Sequence, residues 1–126
     1  MALLLDTHAF LWWVSDDARL TKPARRAIAR DECLLSVASC WEMAIKVALR
    51  KLHVPGALDR FVHQQLVLNG FALLPIALEH AAAIVDLPFH HRDPFDRLLV
   101  AQATVEELKI VSSDDVFERY GVKRVW

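Results

Sequence analysis

Four acids carry the chemical interest of this chain: Asp6, Glu42, Asp96 and Asp114. Asp6 closes the apolar run Leu3-Leu4-Leu5, which reads as a short buried strand. Asp114 follows a second such run, Ile110-Val111-Ser112-Ser113. Glu42 is expected in the first turn of a helix after the strand Cys33–Ser36, and Asp96 in the first turn of a helix opened by Pro94. A helix that follows a parallel strand starts at the carboxyl edge of the sheet, where open α/β sheets bind their ligands. Topology alone brings Asp6, Glu42 and Asp114 to that edge. Asp96 joins them if its long helix feeds the strand Lys109–Ser112 from the opposite face of the sheet.

Carboxylates gathered in one cleft repel. Two unit charges about 4 Å apart cost roughly 4 kcal/mol at an effective dielectric near 20. Such a cluster needs protons or cations to neutralise it, and oxygen-only ligation selects hard divalent ions, Mg²⁺ or Mn²⁺. Carboxylate-held metal can orient and deprotonate a water and stabilise the leaving oxygen of a phosphodiester. No Cys or His has the spacing of a zinc site, and no glycine-rich phosphate loop is present.

The elements that must position these acids alternate along the chain. Strands are expected at Ala2–Leu5, Cys33–Ser36, Phe71–Leu74, Lys109–Ser112 and, at an edge, Val122–Val125. Helices are expected from His8 to about Ser15, from Thr21 to about Arg30 with Pro23 in the first turn, from Ser39 to about Lys51, and from Ala57 to Leu68 ended by Gly70. Leu78, Ala81, Ala82 and Val85 mark another, Pro94 to about Leu108 a long buried one, and Val116 to Tyr120 a short one. The Ser39 helix carries an apolar stripe at Trp41, Ala44, Ile45, Ala48, Leu49 and Leu52. Strands separated by helices give right-handed crossovers, hence a three-layer α/β/α sandwich around a mostly parallel sheet of four to five strands.

Each acid also has a purely structural explanation. Ser39-x-x-Glu42 spells a capping box, and Asp93-Pro94-x-Asp96 is good helix-start chemistry with Asp93 as N-cap. Asp114 or Asp115 can cap the last short helix. The N-cap role accounts for Asp93 and leaves Asp96 free, so Asp96 is the candidate metal ligand and Asp93 an assisting one. Thr7 and Ser112, small hydroxyls beside acids, can orient a carboxylate or cap backbone. Lys46 and Arg50 share a helix face with Glu42 at i+4 and i+8, where they make a solvated ion pair or meet a phosphate backbone. Arg92 and Arg97 flank the Asp-Pro turn with the same two readings. His90 and His91 are expected in a solvated loop, with contact to substrate as the other reading, and His8, His53, His63 and His80 at the surface or in packing. Trp12, Trp13 and Trp41 read as core or dimer interface rather than base-stacking platforms.

Composition sets the frame. The chain has 126 residues, enough for one domain with a real core, and 55% of them are hydrophobic, which excludes disorder. The net charge of −1 gives no general attraction to nucleic acid, so an RNA partner needs a local basic patch. Cys33 and Cys40 read as core thiols of a protein in a reducing cytoplasm. No signal peptide and no membrane-length apolar segment are expected.

The chain resembles the PIN-domain ribonucleases, and among them the VapC toxins of type II toxin–antitoxin pairs. The resemblance rests on Leu4-Leu5-Asp6-Thr7-His8-x-x-Leu11-Trp12 and Ser36-Val37-Ala38-Ser39-x-Trp41-Glu42-x-x-x-Lys46. It continues in Leu87-Pro88-x-x-His91-Arg92-Asp93-Pro94-Phe95-Asp96-Arg97-Leu98-Leu99 and closes with Ser112-Ser113-Asp114-x-x-Phe117-x-x-Tyr120. It implies a Mg²⁺- or Mn²⁺-dependent endoribonuclease with Asp6, Glu42, Asp96 and Asp114 as catalytic and metal-binding quartet. It also implies a homodimer and a small VapB-like antitoxin that obstructs the site. Cys40 stands where the family often has Leu before Trp-Glu, a change of packing that touches no acid. The alternative is a non-catalytic PIN-like module that binds RNA or protein and whose acids only cap helices. A DNA or flap nuclease is disfavoured by the small size.

Overall fold

The computed structural model describes residues 2–126. In chain order the elements are β1 (Leu3–Leu5), α1 (Thr7–Val14), α2 (Lys22–Arg30), β2 (Cys33–Ser36), α3 (Val37–Ala48), α4 (Leu58–Asn69), β3 (Ala72–Leu74), α5 (Leu78–Ala83), α6 (Pro94–Val105), β4 (Lys109–Val111), α7 (Val116–Arg119) and β5 (Arg124–Val125). A 3₁₀ turn, Ile84–Asp86, extends α5. The sheet order is β3-β2-β1-β4-β5, every neighbouring pair parallel. The expected layered α/β fold is present, with β5 at an edge.

Side chains alternate across the strands, so β1 feeds two cores. Leu3 and Leu5 pack with Phe10, Met43 and Leu66 on one face, and Leu4 with Leu98, Ile110 and Phe117 on the other. All three leucines are at most 1% exposed. Burial of each contributes about 1.5–3 kcal/mol, which lets a three-residue strand hold the centre of the sheet. From β1 the chain moves outward to β2 and β3, then returns to place β4 on the other flank. The reversal between β1 and β4 is the switch point at which open sheets form a crevice, and Asp6 and Asp114 follow those two strands. The α6 helix feeds β4 and starts at the same edge, as Asp96 requires.

The structure corrects the reading of α3. The chain leaves β2 straight into the helix, so the nearest hydroxyl, Ser36, takes the cap and accepts from the Ala38 amide at 3.0 Å. The Ser39–Glu42 capping box does not form, and Glu42 lies in the second turn rather than the first. Ser39 is buried and its hydroxyl has no partner among the described residues. The helix also ends at Ala48 instead of Lys51. There Arg50 adopts φ +59° and the Lys51 amide bonds the Lys46 carbonyl at 2.8 Å, closing the end. Arg50 therefore does not extend the Glu42–Lys46 face. The covered face is Ala38, Ser39 and Met43, where α3 meets α1 and α6, while Trp41, Ile45 and Leu49 of the apolar stripe face solvent. Likewise α6 stops at Val105, and Glu107, at φ +56°, turns the chain into β4.

Candidate active site

A cleft of about 240 Å³ opens at the switch point, and Asp6, Glu42, Asp93, Asp96 and Asp114 all line it, together with Thr7, His8 and Ser113. The four acids named from the sequence are thus brought together.

Asp6 is the N-cap of α1. Its Oδ1 accepts from the Ala9 amide at 2.7 Å, the bond that starts the helix. The side chain is buried, and loss of solvent raises its pKa above the usual carboxylate value. The Ser112 hydroxyl, the Ala9 amide and His8 pull it down, and Glu42 adds to the rise. Thr7 is buried and its hydroxyl donates to Glu42 Oε1 at 2.6 Å. The other Glu42 oxygen meets Lys46 Nζ at 3.3 Å. Thr7 therefore orients a carboxylate, one of its two expected roles.

Asp93 caps α6 as expected, its Oδ1 accepting from the amides of Phe95 and Asp96 at 2.9 and 3.0 Å. Its carboxylate also lines the cleft. Asp96 Oδ2 lies 3.1 Å from His91 Nε2, and His91 Nδ1 lies 2.8 Å from the Tyr120 hydroxyl. Arg97 Nη1 donates to the same hydroxyl at 3.1 Å. One set of hydrogens satisfies the whole chain: Arg97 donates to Tyr120, Tyr120 to His91 and His91 to Asp96. Even so the Asp96 pKa is raised to about 6, first by burial and then by Asp93, with His91 opposing and Asp6 contributing. Asp114 is exposed; its amide donates to Ser112 Oγ, and its Oδ1 accepts from the Val116 amide, both at 3.0 Å. Asp114, not Asp115, provides the side-chain bond at the start of α7.

Asp6 and Asp114 make helix-start bonds and also line the cleft, so capping and site-building are not alternatives for them. Apart from the His8 imidazole, the side-chain donors around the cleft are carboxylate and hydroxyl oxygens, the set that suits a hard divalent cation. Burial also leaves two of the carboxyls, Asp6 and Asp96, short of compensating charge. The residues fit such an ion in kind. Among the described residues, however, no three acids, histidines or cysteines converge closely enough to enclose one as the side chains stand, since each acid is held by its own neighbour.

The basic candidates divide. Lys46 is tied to Glu42. Arg50 and Arg92 are exposed and line no part of the cleft. Arg97 is corrected as a phosphate contact. It is 5% exposed, and its guanidinium bonds the Pro88 and Leu87 carbonyls and lies 4.1 Å from the Phe89 ring. It anchors the 87–89 loop because its place on α6 points it inward. Trp12 and Trp13 pack against the core as expected, whereas Trp41 stands exposed with its ring edge-on to Phe95 at 5.0 Å. His80, expected at the surface or in packing, is buried between Gln102 and Glu106. Sequence reasoning missed the parts of His8 and His91. The only sequence signal for His91 was its place four residues before Phe95-Asp96 in the family-like block.

Residues 3–123 match the PIN domain family. Over 114 residues the chain is 29% identical to Ribonuclease VapC22 of Mycobacterium tuberculosis strain H37Rv, covering 89% of this chain and 86% of that protein. Its fold is similar to VapBC2 from Rickettsia felis, solved bound to a DNA fragment from its promoter, with a TM-score of 0.69, 10% identity and full coverage of both chains. It is equally similar to FitAcB from Neisseria gonorrhoeae, with a TM-score of 0.69, 19% identity, and 97% and 95% of the two chains covered. With the acids gathered at the β1/β4 switch point and the match running almost end to end, the chain belongs to the PIN domain family.

Proposed function

We propose that this protein is a metal-dependent endoribonuclease and the toxin of a type II toxin–antitoxin pair, as its VapC-type relatives suggest. The observation that carries the chemistry is the convergence of Asp6, Glu42, Asp96 and Asp114 on one cleft. Asp6, Asp96 and Asp114 would hold Mg²⁺ or Mn²⁺. Glu42 would bind a second ion or orient the attacking water. When bound, the ion lowers the pKa of a water and stabilises charge on the phosphodiester. The chain itself does the positioning. Thr7 fixes Glu42, and the Arg97–Tyr120–His91 chain fixes Asp96. Asp93 and Ser112 hold the turns that present Asp96 and Asp114. A VapB-like antitoxin is the proposed protein partner, supported by the similarity to VapBC2, and a homodimer is the proposed assembly.

The test is cleavage of labelled RNA by the purified chain with Mn²⁺, with EDTA, and with the variants Asp6→Asn and Asp96→Asn. Cleavage should require the metal and fall by at least about a hundredfold in each variant. Activity that persists in EDTA or in both variants would reject the metal site. RNA binding without cleavage would favour the non-catalytic reading instead.

A further inference from the structure

We infer that the groove between α1 and the segment linking α3 to α4 binds the single-stranded RNA that flanks the scissile phosphate. This rests on the ribonuclease reading of the adjoining cleft. The groove encloses about 470 Å³, within the roughly 300–1,000 Å³ range of ligand sites. It adjoins the acidic cleft. His8 lines both, and Glu42 lines the cleft while its ion-pair partner Lys46 lines the groove. A chain whose phosphate enters the cleft is therefore led past His8 into the groove.

The walls suit a polyanion with flat bases. Arg19, Lys46, Lys51 and His53 face the groove against one acid, Asp17, which Arg19 already binds at 2.7 Å. Lys51 is exposed and makes no ion pair among the described residues. This is the local basic patch that a chain of net charge −1 needs. Aromatic faces sit among the cations. The His8 ring leans on Trp12 with centroids 5.6 Å apart, and the Arg19 guanidinium lies 4.8 Å from the Trp12 centroid. Trp12 is backed by the core and covered by Arg19, so the exposed His8 ring is the face left for a base. Cations that track a backbone beside such a ring are the combination that binds single strands without regard to sequence. An acidic peptide would use the cations and leave the ring idle.

The experiment measures anisotropy of a fluorescein-labelled oligouridylate about ten nucleotides long, in EDTA so that nothing is cleaved. Lys51→Glu should weaken binding about five- to tenfold and lower the salt slope by about 0.7 for each phosphate no longer neutralised. Arg19→Ala with His53→Ala should weaken it further, and His8→Ala should weaken RNA while hardly changing binding of oligoglutamate. All four positions are exposed or half-buried, so folding is checked simply by circular dichroism. Wild-type affinity in these variants, no binding by the wild type, or displacement of the RNA by oligoglutamate of equal charge as well as by unlabelled RNA would overturn the inference. Cleavage by the wild type in Mn²⁺ is measured alongside. Binding that depends on the groove without cleavage would uphold the groove and remove the nuclease reading.

Discussion

Replacing Asp96 by Asn should flatten the pH dependence of folding in the metal-free protein. Burial and Asp93 raise the Asp96 carboxyl from 3.8 to about 6. Between those values the folded chain holds a proton that the unfolded chain has released. Unfolding then releases protons, so stability is greatest below about pH 4, falls as pH climbs, and levels off above about pH 6. At about 1.4 kcal/mol for each tenfold change in proton affinity, the full effect is about 3 kcal/mol. A quarter of the side chain stays in water, at 24% exposure, which reduces the expectation to on the order of 2 kcal/mol. Asn keeps an oxygen for His91 but carries no charge, so the variant should be more stable than the wild type near neutral pH in EDTA. Asp6 is raised for the same reason, so a shallower slope of the same sign should remain. Urea unfolding at several pH values between about 4 and 7.5, with unchanged m-values, reads the effect directly. Added Mn²⁺ near neutral pH should stabilise the wild type and hardly affect the variant. Parallel pH profiles for the two proteins would refute the claim that Asp96 is buried at a cost.

The two serines around the start of α3 should respond in opposite ways. Ser36→Ala loses the cap on Ala38 and the buried bond to Gln102, which should cost about 1–3 kcal/mol; Ser39→Ala removes a hydroxyl without a partner and should be neutral or stabilise by up to about 1 kcal/mol, both measured by urea unfolding. Tyr120→Phe breaks the link between Arg97 and His91 and should lower kcat for RNA about tenfold or more with little change in KM. Asp6→Ala should abolish cleavage as Asp6→Asn does, but its α1 helix should be weaker by about 1 kcal/mol because Asn still accepts from Ala9 and Ala cannot.

The acids were legible because a helix N-terminus and a ligand crevice occupy the same place in a parallel sheet. Asp6, Asp96 and Asp114 each ended a strand or opened a helix in a recognisable local pattern, and those patterns survive in the structure. What failed was anything decided by distant parts of the chain. The hydroxyls of Ser36 and Ser39 offer the same capping chemistry, and only the absence of a loop after β2 selects the first. The stripe from Trp41 to Leu49 is a true periodicity, but a periodicity does not say which face α1 and α6 will cover. Arg97 and His91 look like solvent residues beside a Pro turn. Arg97 becomes buried and His91 half-buried because both bond the Tyr120 hydroxyl, a contact between residues more than twenty positions apart.

Among the described residues, three helices end on a left-handed residue that is not glycine: Asp16 at φ +52° after α1, Arg50 at +59° after α3 and Glu107 at +56° after α6. In each, an amide just beyond reaches back to the last turn: Asp17 to Trp12, Lys51 to Lys46 and Leu108 to Ala103, all at 2.8 Å. Such turns favour glycine, because a Cβ in this backbone conformation crowds the following carbonyl by roughly 1 kcal/mol. None of the three positions lines the acidic cleft. Among the described residues Arg50 and Glu107 make no ion pair, whereas Asp16 holds Arg25 at 2.8 Å. Arg50→Gly and Glu107→Gly are therefore routes to a more robust protein that leave the cleft residues in place, separating thermal endurance from the chemistry of the site.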